Sequence, residues 1–243
     1  MEQFEKLMSL LMSPQCYEEI FYNFNFFNIP CLKMIISKGL GYGILLGSLM
    51  LRVPQILIIL RAGSAKGISV VSEVLALIAI FGSMSYGYYK QFPIAAYGDV
   101  YSLYVQGCII LFLVLLYQKQ NALLVISALI IGLVTTLQFT NMIPQQVVFL
   151  LNTLSLFFSV ISKLIQGFEN FKNSSTGNLS AITLILQFLG CVARIFTSIQ
   201  ETGDLYLIIT YISTSIANGL LVGQLVYYWN SDTKKKIKQK KQK

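Results

Sequence analysis

Inside an apolar run of membrane length, "SLMLRVPQILIIL" (residues 48–60) carries a charge, a helix breaker and an amide: Arg52, Pro54 and Gln55. A guanidinium within a span normally faces a bundle interior or a water-filled cavity. There its planar fork can grip a phosphate through two parallel hydrogen bonds. The glutamine amide can bond a sugar hydroxyl equally well. Proline removes a donor from the helix ladder, frees a carbonyl one turn earlier near Met50, and kinks the helix. In lipid that carbonyl must find a partner, so Pro54 is a hinge candidate beside a polar cavity. These residues suit ligand binding rather than bond-making chemistry. The chain has no histidine, which removes the commonest general base, metal ligand and nucleophilic triad. Its four cysteines, Cys16, Cys31, Cys108 and Cys191, show no C-x-x-C spacing, and no paired catalytic carboxylates are visible. The expectation is a protein that is not an enzyme and takes no metal or cofactor.

The frame recurs. "RVPQ" (52–55) returns as "KLIQ" (163–166), which matches Arg52 to Lys163 and Gln55 to Gln166. The small loops "SAKGIS" (64–69) and "STGNLS" (175–180) follow, and then "YGDVY" (97–101) and "TGDLY" (202–206), in the same order. Ile165 stands where Pro54 stands, so only the first copy should bend sharply. Pro144-Gln145 also reads Pro-Gln, but it precedes a helix, where proline is an ordinary starting residue. An odd number of helices separates equivalent positions, which makes the copies parallel repeats about an axis along the membrane normal. In such proteins the sites lie at the repeat interface near midplane. The basic pair is thus expected to offer positive charge to an anionic head group there, with Arg194 as a further phosphate-binding candidate. Snorkelling is the competing account: Arg52 lies about 12 Å of helix from its end, more than a side chain fully covers, and Lys163 lies nearer its own end.

The elements that must position these residues span a bilayer. The chain is 55% hydrophobic and 12% charged, with a mean hydropathy of +0.67, whereas soluble domains carry about 25% charged residues. Runs of about 20 apolar residues predict helices near 39–60, 68–89, 99–117, 121–139, 145–166, 179–199 and 204–229. The fold class expected is all-α integral membrane: seven transmembrane helices as two parallel three-helix repeats joined by a linker helix. The organisation reads as an N-terminal segment (1–38), first repeat (39–117), linker helix (118–144), second repeat (145–229) and basic tail (230–243). The aromatic stretch "IFYNFNFFNIP" (20–30) is too short to cross and is expected to rest at the bilayer interface.

Basic residues set the orientation. With the C-terminus cytosolic, the inside holds Arg61, Lys66, Lys119, Lys172 and the lysines of "KKKIKQKKQK"; the outside holds only Lys6, Lys33, Lys38 and Lys90. The N-terminus is then lumenal or outside, and Cys16 and Cys31 could pair there in an oxidising compartment or remain two thiols. Lys240 and Lys241 match the dilysine pattern of retrieval to the endoplasmic reticulum, although the tail also reads as a polybasic patch for anionic lipid. Sequons at Asn173 and Asn178 fall on the cytosolic side and should be unmodified. No nucleic-acid partner is expected. Glu73 either pairs with a basic residue or favours the N-terminal end of its helix, and Asp99 and Asp204 are expected to cap the third and seventh helices. Gly39, Gly43 and Gly47, and Gly219 with Gly223, form G-x-x-x-G steps that allow close helix approach.

The landmark arrangement resembles the PQ-loop repeat family. More narrowly, "KGLGYGILLGSL", "RVPQI", "STGNLSAIT", "CVARIFTSIQETGD" (191–204) and "YYWN" (227–230) look like the mannose-P-dolichol utilisation defect family, from about residue 31 onward. That resemblance implies a multi-pass endoplasmic reticulum membrane protein needed for use of dolichol-phosphate mannose, and glucose, in lumenal glycosylation: N-linked oligosaccharides, GPI anchors, and O- and C-mannosylation. It would bind, reorient or present the lipid-linked sugar, with lumenal-facing glycosyltransferases as partners. The alternatives are a small-solute transporter for sugars or amino acids, and a non-transporting assembly factor for a glycosyltransferase. Oligomeric state and the choice between mannose and glucose are open at this level.

Overall fold

The computed structural model describes residues 11–66, 68–172 and 181–241; the side chains of 181–183 and 229–241 are outside the description. Among the described residues the chain is helical throughout: α1 (Pro14–Phe21), α2 (Ile29–Leu51), α3 (Val53–Ala62), α4 (Val70–Tyr89), α5 (Ile94–Tyr117), α6 (Asn121–Phe139), α7 (Gln145–Lys172), α8 (Ala181–Glu201) and α9 (Leu205–Lys241). Among the described residues seven segments are long and apolar enough to cross a membrane, with Ile29–Ala62 counted as one.

Two helix starts differ from the sequence reading, and two helices run on past their expected ends, α7 to Lys172 and α9 to Lys241. The first span begins at Ile29 rather than near residue 39, because Asn28 caps it: its side-chain oxygen accepts from the Cys31 N–H at 3.3 Å. The third begins at Ile94, with Pro93 in the capping position. Asp99 therefore lies inside α5 and is not its cap. The expected aspartate cap does occur on α9, where Asp204 Oδ1 accepts from the Leu207 N–H at 3.0 Å. Several of the short turns use left-handed residues: Gln91, Lys119, Asn141 and Gly203 have φ of 54°, 58°, 57° and 60°, which ends each helix by turning the chain out of it.

The described residues fall into two compact units, Met1–Ser155 and Leu156–Lys243, and the division lies within α7. In the first unit, Leu77, Phe81 and Met84 of α4 pack on Tyr104, Leu111 and Leu115 of α5. The Tyr104 hydroxyl meets Thr135 Oγ1 of α6 at 2.9 Å. The first residues of α7 belong to this unit: Gly82 lets α4 approach the Leu151 backbone, where a Cβ would sit 2.9 Å from the carbonyl carbon. At the N-terminal end, Cys16 and Cys31 form a disulfide that ties α1 to α2, with Met12 buried beside it. In the second unit, Leu184 of α8 packs on Leu221 and Leu225 of α9.

The glycine expectation is corrected. A Cβ at Gly39, Gly43, Gly47 or Gly223 would meet nothing within 4 Å, so among the described residues those positions do not mediate a close approach. On α2 the glycine that does is Gly41, whose Cβ would lie 2.5 Å from the Ala95 carbonyl oxygen. It sits on another face of α2, where α5 crosses. Gly219 makes a milder contact, 3.2 Å from the Phe188 ring.

The sequons at Asn173 and Asn178 lie outside the described residues, as do Gly67 and Gln242-Lys243. Lys240 and Lys241 are placed only as the end of the α9 backbone.

Candidate functional site

In the first unit the opening motif breaks its span. α2 ends at Leu51, Arg52 stands between the helices, and Pro54 occupies the first turn of α3, where its missing N–H costs nothing. In an uninterrupted helix the Arg52 N–H would donate to the Ser48 carbonyl. Here the side-chain amide of Gln106, from α5, stands between them. The Arg52 N–H donates to Gln106 Oε1 at 2.9 Å, and Gln106 Nε2 donates to the Ser48 oxygen at 2.8 Å. The same nitrogen donates to Ser102 Oγ at 2.7 Å. A buried glutamine, 7% exposed, thus replaces one rung of the ladder, so the break carries no unsatisfied pair at that step.

Arg52 also forms an ion pair, Nη1 to Glu73 Oε2 at 3.3 Å, with the two side chains 23% and 13% exposed. Glu73 does both things the sequence left open: it lies in the first turn of α4, favourable for a carboxylate, and it neutralises the basic residue of its own bundle. Gly107 makes the reach possible. A Cβ there would lie 3.5 Å from Arg52 Nη1 and 2.8 Å from Leu77 Cδ2, so arginine and Leu77 converge on bare backbone. Gln55, next to Pro54 in the first turn of α3, is half-buried.

Leu77 also lines a cavity of about 490 Å³ in this unit. Its walls are α4 (including Val70, Val74 and Phe81), α5, and α6, together with Leu151. The lining is hydrocarbon apart from Ser127, whose hydroxyl is engaged with the Leu124 carbonyl at 2.9 Å, and Tyr104, bonded to Thr135. With Ile78, Leu123, Ile126 and Ile130 exposed, it is an open groove, whose lining suits an apolar chain and offers a sugar almost nothing.

In the second unit α7 runs unbroken past Lys163, as Ile165 predicts. Lys163 Nζ donates to Gln187 Oε1 of α8 at 2.7 Å. Gln187, Cys191, Arg194 and Ser198 recur every three or four residues along α8 and so share one face. Asn218 of α9 reaches that face, with Nδ2 3.5 Å from Cys191 Sγ. Arg194, only 5% exposed, lies along the same stripe with Thr197 and Ser198 also buried. Lys163 and Arg194 are thus brought to one polar stripe, about two helical turns apart, roughly 10 Å. Gln166 is half-buried; the neighbouring Gly167 carbonyl accepts from Gln224 Nε2 at 2.8 Å.

Sequence reasoning missed Gln106, Gln187 and Gln224. The available signal was the same one that exposed Gln55: an amide inside an apolar run. It was read only where a charge stood nearby.

The PQ loop repeat matches residues 36–96 and 147–207. Arg52 and Lys163 lie the same number of residues into their respective matches, as do Gln55 and Gln166, while Pro144-Gln145 falls before the second. The chain is also similar to "Solute carrier family 66 member 3" of Homo sapiens, 26% identical over 162 residues, covering 67% of this chain and 79% of that protein.

Proposed function

From the premise that the chain belongs to the PQ loop repeat family, a multi-pass membrane protein related to a solute carrier, we propose that it binds a lipid-linked sugar phosphate. The ligand class is dolichol-phosphate mannose, or the glucose equivalent, and the role is to reorient or present it for lumenal glycosylation in the endoplasmic reticulum. The observation that carries this reading is the cavity of the first unit: an apolar groove of about 490 Å³, open along Ile78, Ile126 and Ile130, whose wall residue Leu77 lies over Gly107 beside the Arg52 guanidinium. A polyprenyl phosphate has that composition, hydrocarbon ending in an anion. A free sugar or amino acid would call for amides and hydroxyls along the wall.

Arg52 is the cation we assign to the phosphate, with Glu73 as the carboxylate it must share or leave. Gln55 and Gln106 stand close enough in sequence and fold to serve hydroxyls or to hold the arginine. Within the second unit, Lys163, Gln166 and Arg194 are proposed as ligand-contacting residues on the same chemical grounds. The twin lysines Lys240-Lys241 support retention in the endoplasmic reticulum, and the lysine and arginine bias supports a lumenal N-terminus.

A second reading has its own support, because the similar human protein is named a solute carrier: transport of a small soluble solute. One experiment separates the two. In cells lacking the protein, Arg52→Ala and Lys163→Ala chains at matched expression should each lower lumenal mannosylation. Proteoliposomes of the intact chain should accumulate no free mannose or amino acid. Full rescue by both variants, or saturable uptake of a free solute, overturns the lipid-linked reading.

A further inference from the structure

Arg52 has one edge already engaged and one edge to offer. Its Nη1 lies over the bare backbone of Gly107 and donates to Glu73 Oε2 at 3.3 Å. A guanidinium holds its N–H donors in a planar fork, and the edge formed by Nε and Nη2 matches a phosphate through two parallel hydrogen bonds. Among the described residues neither Nε nor Nη2 has a hydrogen-bond partner, and neither is sealed from the surface. The backbone beneath is fixed, because the Arg52 N–H is bonded to Gln106. A phosphate can therefore join Arg52 while Glu73 stays, so that one cation bridges two anions.

Charge then decides which phosphate fits. Arg52 and Glu73 sum to zero before a ligand arrives. Each further charge within a span is poorly solvated, and like charges on two edges of one guanidinium repel strongly at low dielectric. Among the described residues no further charge pairs with Arg52 or Glu73. Arg61 lies about 14 Å along α3 from Arg52 and is exposed, as are Lys66 and Lys119 in the loops, where water and salt screen them. Lys38 and Lys33 lie about 21 and 28 Å back along α2. Glu18, Glu19 and Lys90 belong to the opposite end of these helices. Asp99 is about 10 Å of α5 from Gln106 and carries the same sign as Glu73.

We propose that Glu73 is a specificity residue, which makes the Arg52 site select a singly charged phosphodiester over a phosphomonoester. This rests on the reading that Arg52 takes the phosphate of a lipid-linked sugar. A phosphodiester brings one negative charge. A monoester brings nearly two at about pH 7, since its second ionisation lies near pH 6, and it must take a proton from water to bring only one. Binding as the monoanion alone weakens it by about tenfold at one pH unit above that ionisation. Glycosyl transfer from such a lipid turns the diester into the monoester. The reaction that consumes the sugar thus lowers the carrier's affinity for this site: the loaded lipid is held and the spent one leaves.

The test is equilibrium binding to the full-length chain in phosphatidylcholine nanodiscs, with three probes. Dolichol-phosphate mannose is the sugar diester, dolichol phosphate the monoester, and dolichyl methyl phosphate a diester without sugar. At about pH 7 both diesters should bind about tenfold more tightly than the monoester, and at about pH 5 the gap should close to about twofold. Glu73→Gln should close most of the gap at about pH 7, and Glu73→Asp should keep it. A monoester that matches the methyl diester at neutral pH overturns the proposal, as does a gap that persists in acid or in a folded Glu73→Gln chain. Diester affinities that rise as steeply in acid place the proton on Glu73 instead and overturn it too. The wild-type comparison decides even where Glu73→Gln fails to fold. Sugar-diester binding that Arg52→Ala abolishes, without discrimination between diester and monoester, overturns this proposal and leaves the lipid-linked reading standing. Binding that ignores Arg52→Ala overturns both.

Discussion

The two copies of the basic-x-x-glutamine frame meet the same difficulty in different ways. In the first, proline opens the span, Gln106 fills the open rung, and Glu73 cancels the charge of Arg52. In the second, the helix is continuous and Lys163 rests on the neutral amide of Gln187. A carboxylate partner removes the net charge from a span; an amide partner only solvates it. The first copy therefore holds its cation in an ion pair that an anionic ligand must share or displace, at a break in the helix, and the second holds its cation on an amide within a continuous helix. Duplication preserved the positions and let their roles diverge.

The comparison can be broken at five places. Ile165→Pro would give the second copy the breaker without a glutamine to fill the gap, and should cost about 3 kcal/mol or more, read as a drop in thermal unfolding temperature in detergent. Pro54→Ala should cost far less, because Gln106 still holds the joint. Next comes Arg52→Leu, which strands Glu73 within the span and should cost about 3 kcal/mol; Arg52→Leu with Glu73→Leu should recover most of it. A double-mutant cycle with no coupling would refute the neutral-pair description. Gln106→Leu should cost about 2 kcal/mol by leaving the Ser48 carbonyl and Arg52 N–H unmatched, with faster hydrogen exchange confined to residues near Arg52. Lys163→Met has the smallest expected effect on stability, about 1 kcal/mol for one lost hydrogen bond, yet it should lower mannosylation as much as Arg52→Ala does. Equal stability losses at Arg52 and Lys163 would erase the distinction between the two copies.

The architecture was legible because hydropathy and repetition are written along the chain: seven spans, the register of Arg52 with Lys163, and the straightness implied by Ile165 all follow from residue order. Helix starts were less legible. The apolar run alone placed the start of the first span near residue 39, whereas Asn28 caps the helix ten residues earlier. Asp99 looked like a cap because aspartate favours that place, while Pro93 had already begun the helix. The glycine stripe misled for a different reason: G-x-x-x-G spacing identifies one face of a helix but not which face meets a neighbour, and Gly41 lies off the stripe. The site was half legible. Charges announce themselves in an apolar run, but their partners, Glu73 across one bundle and Gln106 from a helix some fifty positions away in sequence, depend on packing that no local spacing encodes.

The central claim, that the first unit holds the chain of a polyprenyl-phosphate sugar beside Arg52, is tested most directly by equilibrium binding to the full-length protein in nanodiscs. Labelled dolichol-phosphate mannose should bind saturably, be displaced by dolichol phosphate and not by free mannose, and lose at least about tenfold in affinity when Ile126→Trp fills the cavity. Binding that ignores Ile126→Trp, or displacement by free mannose alone, would contradict it.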